Sequence, residues 1–219
     1  MNLASYIDHT FLGAAGEENA VEKLCCEAKK YKFASVCVNS AEVPLASRLL
    51  KRSGVKVCTV IGFPLGQSSS VTKYLEAIDA IAHGAKELDV VINQRLLKYY
   101  PEQCQNELSV LSELCHAEKR TIVLKLILEC CNLTREEIVL GCMMAKKAGF
   151  KFVKTSTGFG KGGATVEDVK LMRRVVGKKM GVKAAGGIRT REAALAMIKA
   201  GATRIGCSAS VAIVSEDLP

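Results

Sequence analysis

Three shortages narrow the field before any motif is considered. No apolar stretch of this 219-residue chain approaches the roughly 18 residues that a bilayer-spanning helix needs, so no membrane partner is expected. Residues 1–12 carry Asp8 and His9 and no apolar leader core, which points to a cytoplasmic location. Aromatic residues make up only 5% of the chain, and the basic residues behind its net charge of +9 are scattered, the longest clusters being Lys29-Lys30, Lys146-Lys147 and Lys178-Lys179. A nucleic-acid surface calls for a basic stripe interleaved with stacking rings. Nucleic acid is therefore not expected as a partner, and the charge suits solvated helix faces or a small phosphorylated metabolite. Metal-ligand spacing is the third shortage. There are only three histidines, and the ten cysteines include no C-x-x-C, only the adjacent pairs Cys25-Cys26 and Cys130-Cys131. No metal and no other cofactor is expected. Cys25, Cys37, Cys58 and Cys142 fall in apolar patterns, where a reduced thiol behaves as a small hydrophobe.

What is present is an ordinary globular composition, 49% apolar and 24% charged, long enough for one domain spanning residues 1–219 without a linker. An amphipathic stretch, a glycine and a short apolar run recur at Gly54, Gly84, Gly149, Gly181 and Gly201, in units of roughly 30 residues, with one further boundary expected at 116–120. Such units mean alternating helices and parallel strands. Strands are predicted at 6–10, 34–38, 56–61, 87–92, 122–128, 150–154, 182–185 and 204–207. Eight strands in about 210 residues fit a compact (β/α)₈ TIM barrel of the α/β class, a doubly wound open sheet being the alternative. Ala20, Leu24, Ala28 and Tyr31 share one helix face, as do Val71, Leu75, Ile78 and Ala82, and both are predicted to face the core. Thr165 and Thr190 look like helix starts, and the stretch from 94 to 119, broken by Pro101, is long enough for two helices.

The chemistry is carried by four consecutive apolar strands with one charge each: Asp89, Lys125, Lys154 and Lys183. Burying unpaired charge is costly, so one in every strand points to a shared polar site. If these four face the lumen, then Val90, Leu124, Val153 and Val182 face the helices. Crowded ammonium groups push a lysine toward its neutral, nucleophilic form. The expectation is Schiff-base chemistry, with one lysine attacking, another lowering its basicity, and Asp89 moving protons. A purely structural ion-pair network is the competing account. Three glycine-rich segments follow the last three strands: Gly158-Phe-Gly-Lys-Gly-Gly163, Gly186-Gly187-Ile-Arg-Thr190 and Gly206-Cys-Ser-Ala-Ser210. Together they suit a phosphate, although any one of them also reads as an ordinary tight turn. The first is also a weak dinucleotide fingerprint, lacking an acid after the next strand for the ribose. The segment Asp8-His9-Thr10 points into the site or serves as a turn, and His83 and His116 read as structural or exposed.

Val153-Lys-Thr-Ser-Thr-Gly-Phe159, Val182-Lys-Ala-Ala-Gly-Gly-Ile-Arg-Thr190 and Glu87-Leu-Asp-Val-Val-Ile-Asn93 resemble the motifs of the deoxyribose-phosphate aldolases, with Ile7-Asp-His-Thr10 and Ser35-Val-Cys-Val38 in support. The resemblance covers nearly the whole chain. It implies a metal-independent class I aldolase on a (β/α)₈ barrel that reversibly cleaves 2-deoxy-D-ribose 5-phosphate to glyceraldehyde 3-phosphate and acetaldehyde in deoxynucleoside breakdown; a homodimer is the assembly expected. By the same resemblance Lys154 is the Schiff-base lysine, while Lys183 and Asp89 are the proton-transferring pair. The substrate, a small phosphorylated aldehyde, is expected to meet Asp8, Thr10, Cys37, Lys125, Thr155, Gly158, Gly186, Gly187 and Ser208. Ala209 and Phe159 depart from the family pattern, which has a second serine and, in some members, a lysine there. A phosphate-binding isomerase or synthase whose lysines only hold the anion is the alternative activity.

Overall fold

Helix and strand alternate through the computed structural model, which describes residues 2–117 and 121–215. The strands are β1 (Ile7–Phe11), β2 (Ser35–Val38), β3 (Lys56–Ile61), β4 (Glu87–Val91), β5 (Val123–Ile127), β6 (Phe152–Lys154), β7 (Gly181–Ala185) and β8 (Arg204–Cys207). They pair in parallel in chain order, and β8 returns to β1, so the sheet is a closed barrel and not the open alternative. The helices are α1 (Ala20–Tyr31), α2 (Val43–Leu49), α3 (Ser70–Ala82), α4 (Gln94–Tyr99), α5 (Pro101–His116), α6 (Arg135–Lys147), α7 (Val166–Val176), α8 (Arg191–Ala200) and α9 (Ser210–Ser215). Among the described residues, no helix is long and apolar enough to cross a membrane.

Strand positions agree with the sequence pattern to within one residue except at β6, which begins at Phe152 and not at residue 150. The reason lies in the end of α6. Gly149 turns left-handed (φ 84°) and the Phe150 N–H donates back to Ala145 O at 3.0 Å, so Phe150 closes the helix. Thr165 and Thr190 cap α7 and α8 as expected, each accepting from the backbone N–H three residues on. Pro101 opens α5 as its first residue and separates it from α4. The expected boundary at 116–120 lies partly outside the described residues; α5 ends at His116.

Alternation along the strands divides the interior into two layers. Leu88, Val90, Leu124, Leu126, Val153, Val182 and Ala184 point outward and form the main core under the helices. Cys37, Cys58 and Val60 point inward and pack with Leu12 and Phe63. Leu24 and Ala28 of α1 join the outer core, as its face predicts. Helix α3 does the opposite. Val71, Leu75 and Ile78, predicted to be core, are 64%, 61% and 43% exposed, whereas Lys73, Ala77 and Ala80 are buried. Lys73 is admitted because Glu107 on α5 meets its ammonium at 2.8 Å and Val91 O accepts from it at 3.1 Å. Small alanines then bring the helix close to the sheet. The choice of face is made by a buried ion pair, which hydropathy does not register.

Candidate active site

The strand register brings the lumen charges together. Asp89 on β4 is the Cα partner of Lys125 on β5, and Lys154 on β6 is the partner of Lys183 on β7, with Lys183 opposite Arg204 on β8. All four charges singled out from the sequence face inward, and the three lysines converge on the Asp89 carboxylate. Asp89 Oδ2 accepts from Lys154 Nζ at 2.8 Å and from Lys183 Nζ at 2.7 Å, while Oδ1 accepts from Lys125 Nζ at 2.8 Å. Room for the Lys183 stem comes from Gly206 on β8, where a Cβ would stand 2.9 Å from Lys183 Cε.

The expected crowding of three ammonium groups around one carboxylate is corrected here, because two further carboxylates enter the lumen. Asp8 Oδ2 lies 2.5 Å from Lys183 Nζ, a close ion pair that is not aligned as a hydrogen bond, and Glu87 Oε2 lies 2.7 Å from Lys125 Nζ. Arg204 completes the set, bridging Asp8 at 2.6 Å and Glu87 at 2.9 Å while stacking over Phe152. Burial alone would lower the pKa of Lys183, but Asp8 and Asp89 outweigh it and raise it well above the ordinary lysine value. The same balance, led by Asp89, raises Lys125. Burial would raise Asp89, yet Lys125, Lys154 and Lys183 hold it well below the usual carboxylate range, and Asp8 is lowered by Lys183, Lys125 and Arg204 in the same way. The carboxylates around Lys125 and Lys183 therefore favour their charged forms in the resting lumen. Cys37, Cys58 and Asp89 bring donor atoms within 4.8 Å of one another, but the three ammonium groups on Asp89, and Lys125 Nζ at 3.2 Å from Cys58 Sγ, would confront any dication there.

Above this layer, at the C-terminal ends of β1, β6, β7 and β8, opens a cavity of about 390 Å³. Of the three lysines, only Lys154 lines it. Thr10, Gly158, Gly186, Gly187 and Ser208 line it too, so the three glycine-rich segments do meet at one site. Their backbones are in close contact: a Cβ at Gly163 would stand 2.3 Å from Gly186 O, and Ala164 N–H donates to that same oxygen at 3.0 Å. Asp8, Cys37, Lys125 and Thr155, expected at the substrate, do not line the cavity. Asp8 and Lys125 belong to the buried ion-pair layer, Cys37 packs beside Cys58 in the lumen, and Thr155 Oγ1 bridges to the Ala185 backbone at 3.1 Å. His9 is turned away from the lumen, between Glu27 on α1 and Ser210 on α9. At the rim Phe159 meets Phe63 edge-on, with ring centroids 5.2 Å apart. Sequence reasoning missed Arg204 and the cavity-lining Arg189. Extending the count of one charge per strand to β8 would have found Arg204; nothing but its glycine-rich setting marks Arg189.

Comparison with known proteins bears on this geometry. The profile of the DeoC/LacD family aldolases matches residues 3–214. A deoxyribose-phosphate aldolase of Thermoanaerobacter sp. (strain X514) is 55% identical over 219 residues, covering 99% of this chain and 97% of that relative. One from Clostridium perfringens (strain 13 / Type A) is 55% identical over 212 residues, covering 96% and 93%. Among solved structures, the tetrameric deoxyribose phosphate aldolase of Aeropyrum pernix superposes with a TM-score of 0.91 at 36% identity, covering 98% of this chain and 90% of that one. An aldolase designated QR15 superposes with a TM-score of 0.92 at 39% identity, covering 99% and 96%.

Proposed function

Because this chain belongs to the DeoC/LacD family of aldolases, we infer that it is a deoxyribose-phosphate aldolase whose chemistry runs through a Schiff base at Lys154. The observation that carries this reading is that Lys154 alone among the lumen lysines opens onto the cavity, while its ammonium position is 2.8 Å from Asp89 Oδ2. Lys125 and Lys183 are occupied by carboxylates below the cavity, which disfavours an isomerase that uses the lysines only to hold an anion.

In the proposed sequence, the Lys154 amine attacks the aldehyde carbon of open-chain 2-deoxy-D-ribose 5-phosphate, and loss of water gives the iminium. Electrons from the breaking C3–C4 bond flow into that cation, a base removes the hydroxyl proton, glyceraldehyde 3-phosphate leaves and an enamine remains. Protonation of the enamine carbon and hydrolysis release acetaldehyde and free Lys154. Asp89 and Lys183, which share one carboxylate oxygen with Lys154, are suited to move these protons through a water molecule. Gly158, Gly186, Gly187 and Ser208, with the nearby Arg189, are the groups proposed to hold the phosphate. Acetaldehyde with borohydride tests the assignment. The expected result is a stable single-ethyl adduct mapped to Lys154, lost in Lys154→Leu, with turnover abolished there and severely reduced in Lys183→Leu. An adduct on another lysine, or normal turnover in either variant, refutes the roles given.

The reading extends to setting and assembly. Ten unpaired cysteines support a reducing cytoplasm, and the exposed apolar stripe Val71, Leu75 and Ile78 on α3 supports self-association, at least to a homodimer. Leu75→Glu is expected to lower the mass measured by light scattering to that of one chain, and an unchanged mass would clear α3 of that role.

A further inference from the structure

One buried carboxylate is left unused by the ion-pair layer. Glu129 follows β5 at the top of the barrel with its side chain buried, and among the described residues no cation pairs with it. Its backbone is left-handed (φ 56°, ψ 63°), a region that L residues other than asparagine and aspartate seldom enter. Both features are unfavourable in themselves, and both serve one contact. The Glu129 carboxylate accepts from the Thr157 N–H at 3.3 Å and also from the Thr157 hydroxyl. The same hydroxyl oxygen accepts from the Phe159 N–H at 3.0 Å. Glu129, Thr157 and Phe159 are thereby linked in one directional chain, with Gly158 carried between the last two.

The surroundings are arranged around that chain. Leu128 N–H donates to Lys154 O and Cys130 N–H to Thr155 O, each at 2.9 Å, so the corner bearing Glu129 is tied to the end of β6 on both sides. Gln94 of α4 donates to Leu128 O at 2.7 Å and to Glu129 O at 3.1 Å, supporting the corner from behind. Gly160 permits the approach: a Cβ there would stand 3.0 Å from Glu129 Cδ. We propose that Glu129 is a positioning residue that clasps Thr157 and so holds the Gly158 turn, four residues beyond the nucleophile, in the shape that receives the substrate phosphate. Glu129 touches no reacting atom and acts through Thr157. The proposal rests on the aldolase reading above and adds a function for a residue outside the lysine layer.

The consequence is a selective defect. Without the clasp the phosphate turn loosens, while Lys154, fixed on β6, keeps its place. For Glu129→Ala, KM for 2-deoxy-D-ribose 5-phosphate is expected to rise about tenfold, the worth of one charge-assisted hydrogen bond. Borohydride trapping of acetaldehyde, which has no phosphate, is expected to stay within about twofold, since it draws on no binding contact of that turn. Glu129→Gln, which keeps an acceptor for Thr157, restores most of the loss. Thr157→Val reproduces the defect, and the double variant is no worse than either single one, as expected of two halves of one contact. Should Glu129→Ala not fold, Gly160→Ala, which keeps the carboxylate but crowds it, carries the same expectation. An unchanged KM overturns the proposal, as does acetaldehyde trapping that falls in proportion to the rise in KM, because that marks general disruption. A wild-type chain left unmodified by acetaldehyde and borohydride overturns the aldolase reading itself; a trapped wild type with a normal Glu129→Ala variant overturns only the clasp.

Discussion

Replacing Asp8 with asparagine tests the charge balance of the lumen while leaving Asp89 and the three lysines in the chain. The change removes the carboxylate 2.5 Å from Lys183 and 2.6 Å from Arg204, and sets an amide N–H₂ where Lys183 needs an acceptor. Removing one partner of a buried pair costs about 3–5 kcal/mol when the other is stranded. Here neither cation is stranded, since Lys183 keeps Asp89 at 2.7 Å and Arg204 keeps Glu87 at 2.9 Å. The expected loss is therefore smaller, about 2–3 kcal/mol, equivalent to a fall in Tm of about 5–10 °C for a chain of this size. The pH dependence gives the sharper signature. The Asp8 carboxyl is depressed in the folded protein, so its contribution is complete above the ordinary aspartate value of 3.8 and is lost as pH falls below it. Below that point wild type loses about 1.4 kcal/mol per pH unit from this group and the variant loses nothing from it. Urea unfolding at pH 7, 5 and 3 should show a constant gap between the two proteins at the first two values, and a gap narrower by about 1 kcal/mol at the third. A gap as wide at pH 3 as at pH 7, or an asparagine variant as stable as wild type, refutes the ion-pair account.

Two further outcomes follow from the contacts. Gly163→Ala drives a Cβ to 2.3 Å from Gly186 O; it is expected to cost about 1–3 kcal/mol in thermal unfolding and to raise KM for the phosphorylated substrate, because the two glycine segments must part. Brief alkylation of the native protein should label exposed Cys26 first and partly exposed Cys131 next, as read by peptide mass. Burial pushes the Cys104 and Cys142 thiols up to about 12 and Cys115 to about 11, so these should react only in urea.

Much of this was legible in the chain. Glycines at helix ends and single charges in apolar strands marked a barrel with a polar lumen, and the C-terminal glycine segments marked its working end. Two errors have physical causes. Helix α3 has two faces with similar periodicity, and the more hydrophobic one lies outside because Lys73 finds Glu107 on an element 34 residues away. The lysines were expected to repel one another toward neutrality; Asp8 was expected at the substrate and Glu87 was given no role, and only the closed register shows them against Lys183 and Lys125. Arg204 escaped notice for the same reason, its partner Asp8 standing 196 positions earlier in the chain.

The separation between Arg204 and Asp8 also bears on the order of assembly. A nascent chain that has extended through β7 already contains Asp8, Glu87, Asp89 and all three lysines, yet still lacks the guanidinium that ties β8 to β1 and β4. Through β7 the three lumen carboxylates and the three lysines already balance in number, so what β8 adds is a further cation that reaches Asp8 on β1 and Glu87 on β4 at once. The strand that closes the cylinder thus brings with it its own tie between β1 and β4, so ring closure and the Arg204 bridge form together.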